Sequence, residues 1–65
     1  MHSSWIHDAE RNGDGSVTMT LENGRVYRVE DVPAATFNRW QSADSAGKFF
    51  NDNIRGKNSV WRVNS

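Results

Sequence analysis

The sequence predicts an α+β fold: a small antiparallel β-meander of about three strands, then two short helices and a C-terminal extended or strand segment, all in one domain over residues 1–65. Three observations predict it. Apolar and polar residues alternate with period two through Val17-Thr18-Met19-Thr20-Leu21, the signature of a strand with one buried face. Asn23-Gly24 follows at once and β-type residues resume beyond it, the short-range mark of a hairpin. After Pro33 the large apolar residues change to helical spacing, with Phe37 and Trp40 three apart and Phe50 and Ile54 four apart, so that each pair shares a helix face.

Taken in order, a first strand is expected from Ser4 to Ala9, around Trp5 and Ile6, ending in the turn Asn12-Gly13-Asp14-Gly15. The hairpin over residues 16–30 has two possible registers. A two-residue loop sets Met19 opposite Arg28 and puts charge against the apolar stripe. A three-residue loop, Glu22-Asn23-Gly24 with Gly24 in a bulge, sets Met19 opposite Tyr27 and Val17 opposite Val29. The second unites the apolar faces and is the one expected. Pro33 suits a first helical turn and Asp31 is a candidate to accept its free amides, so Ala34 to Ala43 is expected helical with Phe37 and Trp40 inward. A second helix fits Ser45 to Arg55, with Asp44 or Ser45 as cap and Gly56 as stop. Val60-Trp61-Arg62-Val63 reads as a last strand or an extended tail against the sheet.

The composition sets limits on function. A chain of 65 residues buries only about 60% of the surface that its unfolded form exposes. Its three Trp, three Phe and one Tyr must therefore supply much of the core. With no cysteine there is neither a disulfide framework nor a thiolate metal site, and a reducing compartment is expected. The polar start Met1-His2-Ser3-Ser4 lacks a signal-peptide stretch and no apolar run approaches the length of a membrane span, so a cytoplasmic location without membrane attachment is expected. Formal net charge is zero, but it is unevenly spread. Arg11, Arg25 and Arg28 face Asp8, Glu10, Asp14, Glu22, Glu30 and Asp31 in the first half. Arg39, Lys48, Arg55, Lys57 and Arg62 face only Asp44 and Asp52 in the second. The second half is thus either a basic face or an ordinary solvated surface.

Little in the chain points to catalysis or metal chemistry. Asp8 to Gly15 resembles the start of a calcium loop, but the twelfth position is Met19 where a bidentate carboxylate is needed. A Gly-rich acidic hairpin turn is the expected structure. His2 and His7 are the only histidines and lack a zinc-ligand set around them. A chain this short has little room for a dry cleft that would tune a catalytic group. No enzyme activity, cofactor or metal is expected.

Two sets of residues are candidates for binding. Ser45 at the start of the second helix, with Gly47, Asn51 and Arg55 along one face, could hold a phosphate at free backbone amides. The competing account is structural: Ser45 as a cap, Gly47 for close packing, Asn51 bonding a neighbouring loop and Arg55 pairing with a carboxylate such as Asp31. The second set is aromatic. The rings exceed what so small a core can hide, so one such as Phe49 or Trp61 is expected at the surface beside Lys48, Arg55, Lys57 and Arg62. Such a group suits stacking on an unpaired base with phosphate contact, or equally a protein interface.

From Ser4 to about Trp61 the ordered residues resemble the KTSC domain family, a module of about 60 residues named for its place at the C-terminus of some lysyl-tRNA synthetases and also found alone in bacterial and phage proteins. The most specific stretch is Ala43-Asp44-Ser45-Ala46-Gly47-Lys48-Phe49-Phe50-Asn51-Asp52-Asn53-Ile54-Arg55, similar to the family's A-x-S-x-G-x-[YF]-F-N-x-x-I-R. Asn23-Gly24, Val26-Tyr27 and Val32-Pro33 also fall in the family's order. Where the family often has two aromatics flanking one residue in its central strand, this chain has Tyr27-Arg28-Val29. If those paired rings stack on bases, half the platform is missing.

The resemblance implies a non-catalytic binding module in a bacterial or phage-infected cell, and the attachment to a synthetase implies RNA as the ligand. The face expected to bind it comprises Lys48, Phe49, Arg55, Lys57, Trp61 and Arg62. The alternatives are a module that docks on a host protein, such as a phage inhibitor or adaptor, and a binder of a small phosphate-bearing ligand at Ser45, Gly47 and Asn51. A homodimer is compatible with the neutral charge and surplus aromatics.

Overall fold

The computed structural model describes residues 5–64. Four strands, β1 (Ile6–Arg11), β2 (Val17–Leu21), β3 (Val26–Val29) and β4 (Val60–Arg62), form an antiparallel sheet in the order β1-β2-β3-β4. Between β3 and β4 run helix α1 (Ala34–Ser42) and helix α2 (Ala46–Phe49), which continues into a π-helical turn over Phe50–Ile54. Residues of one sheet face, Ile6, Ala9, Val17, Met19 and Val29, pack with Trp40, Ala46, Phe50 and Ile54 from the helices into one core. No helix of the described residues is long and apolar enough to cross a membrane.

The central hairpin has the register that unites the apolar faces: Val17 pairs with Val29 and Met19 with Tyr27. Gly24 sits at φ +88° and donates its N–H to the Leu21 carbonyl at 3.0 Å, while Leu21 N–H bonds the Arg25 carbonyl at 2.8 Å. A positive φ is open to glycine at little cost. The first strand runs from Ile6 to Arg11, ending two residues beyond the expected Ala9; the expected start at Ser4 lies outside the described residues. A bulge between Ile6 and Asp8 shifts the alternation, so Ile6 and Ala9, three apart, both face the core. The turn is Asn12 to Gly15 as expected. The Asp14 Oδ1 accepts from the Ser16 N–H at 2.9 Å and from its hydroxyl at 2.6 Å.

Asp31 does not cap α1. Pro33 holds the cap position with no side-chain cap bond, because Asp31 takes a left-handed turn at φ 56° that carries the chain off the sheet. Asn58 secures this turn, donating its side-chain amide to the carbonyls of Glu30 at 2.9 Å and Asp31 at 3.0 Å. Helix α1 ends at Ser42, one residue before the expected Ala43, which serves as its C-cap. Its Trp40 is the hub of the core. The indole N–H donates to the Ala46 carbonyl at 3.0 Å, while the ring meets Phe37 edge-on at 6.3 Å between centroids, Phe49 stacked at 6.4 Å and Phe50 at 5.9 Å.

The second helix starts at Ala46, with Ser45 as its cap: the hydroxyl accepts from the Lys48 N–H at 3.2 Å. Its last five residues widen to the π form, Arg55 N–H bonding the Phe50 carbonyl at 2.8 Å. Phe50 and Ile54 remain buried together. Gly56, at φ +83°, stops the helix and returns the chain to the sheet as β4, so the C-terminal segment is a strand paired with β3.

Candidate functional site

Between the sheet and the π-helical turn lies a cleft of about 520 Å³. One wall is the inward sheet face, where strand alternation brings Met19, Leu21, Tyr27 and Val60 to the same side. Phe50 and Arg55 from the π-helical turn and its cap, then Gly56 and Asn58, form the opposite wall, and Trp5 closes one end. Among the described residues the lining holds three aromatic residues, Trp5, Tyr27 and Phe50, one guanidinium and no carboxylate. Trp5 meets Phe50 edge-on at 5.6 Å. Arg62, paired with Tyr27 and two residues beyond Val60, stands on the same sheet face as the cleft wall.

The opposite face of the sheet has a different chemistry. Arg28 donates from Nη2 to Asp14 at 2.5 Å and from Nε to Glu30 at 2.7 Å. The Trp61 indole N–H reaches the same Glu30 carboxylate at 3.2 Å. Two hydrogen bonds from Ser16, and then Arg28, hold the Asp14 carboxyl well below the usual carboxylate range, while Glu30 and Asp14 together push the Arg28 guanidinium up. Cation and anions on this face satisfy one another. By contrast, Arg55, Lys57 and Arg62 take part in none of the ion pairs among the described residues, which join His7 to Glu22 and Arg28 to Asp14 and Glu30.

The sequence-derived candidates are therefore divided. Arg55 lines the cleft and Arg62 shares its face; Lys57 is exposed in the turn between them. Trp61 is 49% exposed but projects from the outer face beside Glu30. Phe49 is not an open platform, since its ring is half-buried and stacked on Trp40. Lys48 is exposed on α2. The expected pairing of Arg55 with Asp31 is absent among the described residues.

Gly47, Asn51 and Arg55 do not form one exposed row. Gly47 is buried beneath the Trp5 indole, whereas Asn51 and Arg55 are exposed. The π turn adds a residue to the helical repeat between them, which breaks the spacing on which the row depended. Ser45 spends its hydroxyl on the Lys48 amide.

Sequence reasoning did not single out Trp5, Phe50 or Asn58 for the cleft, which Phe50 lines from within the core. The available signal was the surplus of rings, which required some of them to remain partly open. Position 29 also takes a different meaning: Val29 is fully buried. An aromatic there would enlarge the core rather than extend a surface platform, so its absence removes nothing from the cleft.

The family model described as the KTSC domain matches residues 11–57. Among solved structures, the crystal structure of a KTSC domain protein from Yersinia pestis is similar with a TM-score of 0.85 and 27% sequence identity, over 98% of this chain and 92% of that one. No curated protein matches the sequence.

Proposed function

Since the chain belongs to the KTSC domain family, we propose that it is a non-catalytic module binding single-stranded or unpaired RNA at the cleft between the sheet and the π-helical turn. The observation that carries this reading is the company of cations and aromatic rings: Arg55, Lys57 and Arg62, in no ion pair among the described residues, lie at or near a cleft lined by Trp5, Tyr27 and Phe50 and, among those residues, by no carboxylate. Rings offer a sequence-tolerant surface for a base, and guanidinium groups take the adjoining phosphates. A cleft of about 520 Å³ has the size of small-molecule sites, roughly 300–1,000 Å³. That volume suits a single splayed base.

Three phosphate contacts on a single strand correspond to a salt slope of about −2, or roughly 20-fold weakening between 50 and 200 mM salt. The test is a fluorescence-anisotropy titration of a labelled single-stranded RNA of about ten nucleotides at several salt concentrations, with a duplex of the same sequence beside it. Salt-sensitive binding that prefers the single strand supports the reading. Absence of binding, or equal binding to the duplex, overturns it. The rival is a protein partner, favoured by the exposed Trp61 and Val63 on the other face and by a net charge of zero.

A further inference from the structure

The sheet has two edges, and they are treated differently. On β1 the Ala9 carbonyl accepts from the Gln41 side-chain amide of α1 at 3.1 Å, so the helix engages that edge. On β4, Glu30 N–H bonds the Ser59 carbonyl and Val63 N–H bonds the Val26 carbonyl, each at 2.9 Å. Both lie in register with the pair Arg28–Trp61. An antiparallel ladder alternates hydrogen-bonded and non-hydrogen-bonded pairs, so Trp61 directs its backbone to β3 while Val60 and Arg62 direct theirs outward. Nothing among the described residues bonds those outward groups. Two donors and two acceptors stand in a row, with the half-exposed Trp61 between them and exposed Val63 beyond.

We infer that β4 pairs antiparallel with β4 of a second copy of this chain, about a twofold axis at Trp61. The edge is self-complementary in this register. Val60 of each copy meets Arg62 of the other in a hydrogen-bonded pair, giving four backbone bonds. Trp61 meets its own counterpart in the non-hydrogen-bonded pair, where cross-strand side chains approach most closely. Ser59 falls opposite Val63 on the same face, and no two like charges oppose each other. With a formal net charge of zero, two copies do not repel overall. The twofold contact uses the same β4 edge on both copies, so pairing through this edge closes at two copies.

Three paired residues per strand form an interface below the roughly 1,000 Å² of stable complexes, so the dimer dissociates in the range from about 10 μM to 1 mM. The pairing also sets Arg62 of the second copy across from Val60, a residue of the cleft wall. On the RNA reading proposed above, each cleft then gains a guanidinium from its partner.

Sedimentation velocity of the full chain from about 10 μM to 1 mM tests the inference, with the amide NMR shifts of Val60 and Arg62 followed over the same series. The expected result is a concentration-dependent dimer with shifts centred on β4. Trp61→Thr keeps a β-former but removes the ring, and weakens the dimer at least about tenfold. Arg62→Pro deletes an outward N–H without touching the β3 ladder and abolishes it, whereas Arg62→Ala leaves it intact because only backbone is used. A monomer at every concentration overturns the inference, as does a dimer indifferent to both Trp61→Thr and Arg62→Pro. RNA binding is scored separately, so failure of either idea leaves the other standing.

Discussion

The Trp5 indole lies directly on the backbone of Gly47: a Cβ placed on Gly47 would overlap the indole nitrogen and come within 2.8 Å of Cδ1. This contact joins the segment before β1 to helix α2 and sets the end wall of the cleft. Glycine inside a helix ordinarily costs about 1 kcal/mol relative to alanine, so elsewhere Gly→Ala would stabilise. Here the sign reverses. Gly47→Ala forces the indole out and costs about 1–3 kcal/mol, the usual range for overpacking, as read by urea denaturation. In the double variant with Trp5→Ala the added cost of the methyl disappears, and additive losses would show that the two residues are not coupled.

Asp14 gives the domain an acid-sensitive turn. Its folded-state pKa is depressed, first by the Ser16 hydroxyl and amide and then by Arg28, relative to an unfolded value of about 3.9. A depressed carboxyl contributes stability that is fully present above the unfolded pKa and is lost as pH falls toward the folded one. Melting temperature is therefore expected to decline below about pH 4, and Asp14→Asn should flatten this part of the profile. The group is exposed and partly screened, so the effect should also shrink in 1 M salt; an unchanged acid limb in Asp14→Asn would assign the acid sensitivity to other carboxylates.

The strands and the register of the central hairpin were legible because alternation and turn chemistry agree locally: only the three-residue loop places Met19 against Tyr27 and Val17 against Val29. The less legible features depend on contacts distant in sequence. The bulge at Ile6–Asp8 and the left-handed turn at Asp31 are stabilised by partners elsewhere, Asn58 being 27 residues from Asp31. The π turn moved Gly47 and Arg55 onto different surroundings, which no fixed helical period foresees. Of the expected binding face, Arg55 lines the cleft and Arg62 stands on the cleft side of β4, whereas Trp61 falls on the other side by the same alternation that places its neighbours. Phe49 was misread because residues adjacent in a helix need not divide cleanly into inside and outside when a ring as large as Trp40 lies between them.

Trp40 is the residue whose loss the fold should tolerate least. It is fully buried, touches three other rings and satisfies the Ala46 carbonyl. Trp40→Ala should cost roughly 3–5 kcal/mol, comparable with the whole stability of a core this small, and leave the chain largely unfolded at 25 °C by circular dichroism. Trp40→Phe retains much of the apolar burial but removes the indole donor from the Ala46 carbonyl, which keeps the Phe50 N–H, at about 0.5–1.5 kcal/mol for the lost bond. A folded Trp40→Ala variant with near-native denaturation midpoint would contradict the role assigned to this ring.

Variants at the cleft separate charge from architecture. Arg55 and Arg62 are exposed and carry no ion pair among the described residues, so replacing either by Ala should change stability by no more than about 0.5 kcal/mol. On the RNA reading each replacement removes one phosphate contact and lowers the magnitude of the salt slope by about 0.7, weakening all sequences alike. Tyr27→Ala should instead reduce affinity by the stacking contribution, about 1–3 kcal/mol, with the salt slope unchanged. Arg28→Ala is the control from the other face: it breaks the pairs to Asp14 and Glu30 and should leave RNA affinity within about twofold, since its charge is already matched by carboxylates. If Arg28→Ala weakens binding as much as Arg55→Ala does, the RNA lies on the outer face and the cleft assignment fails.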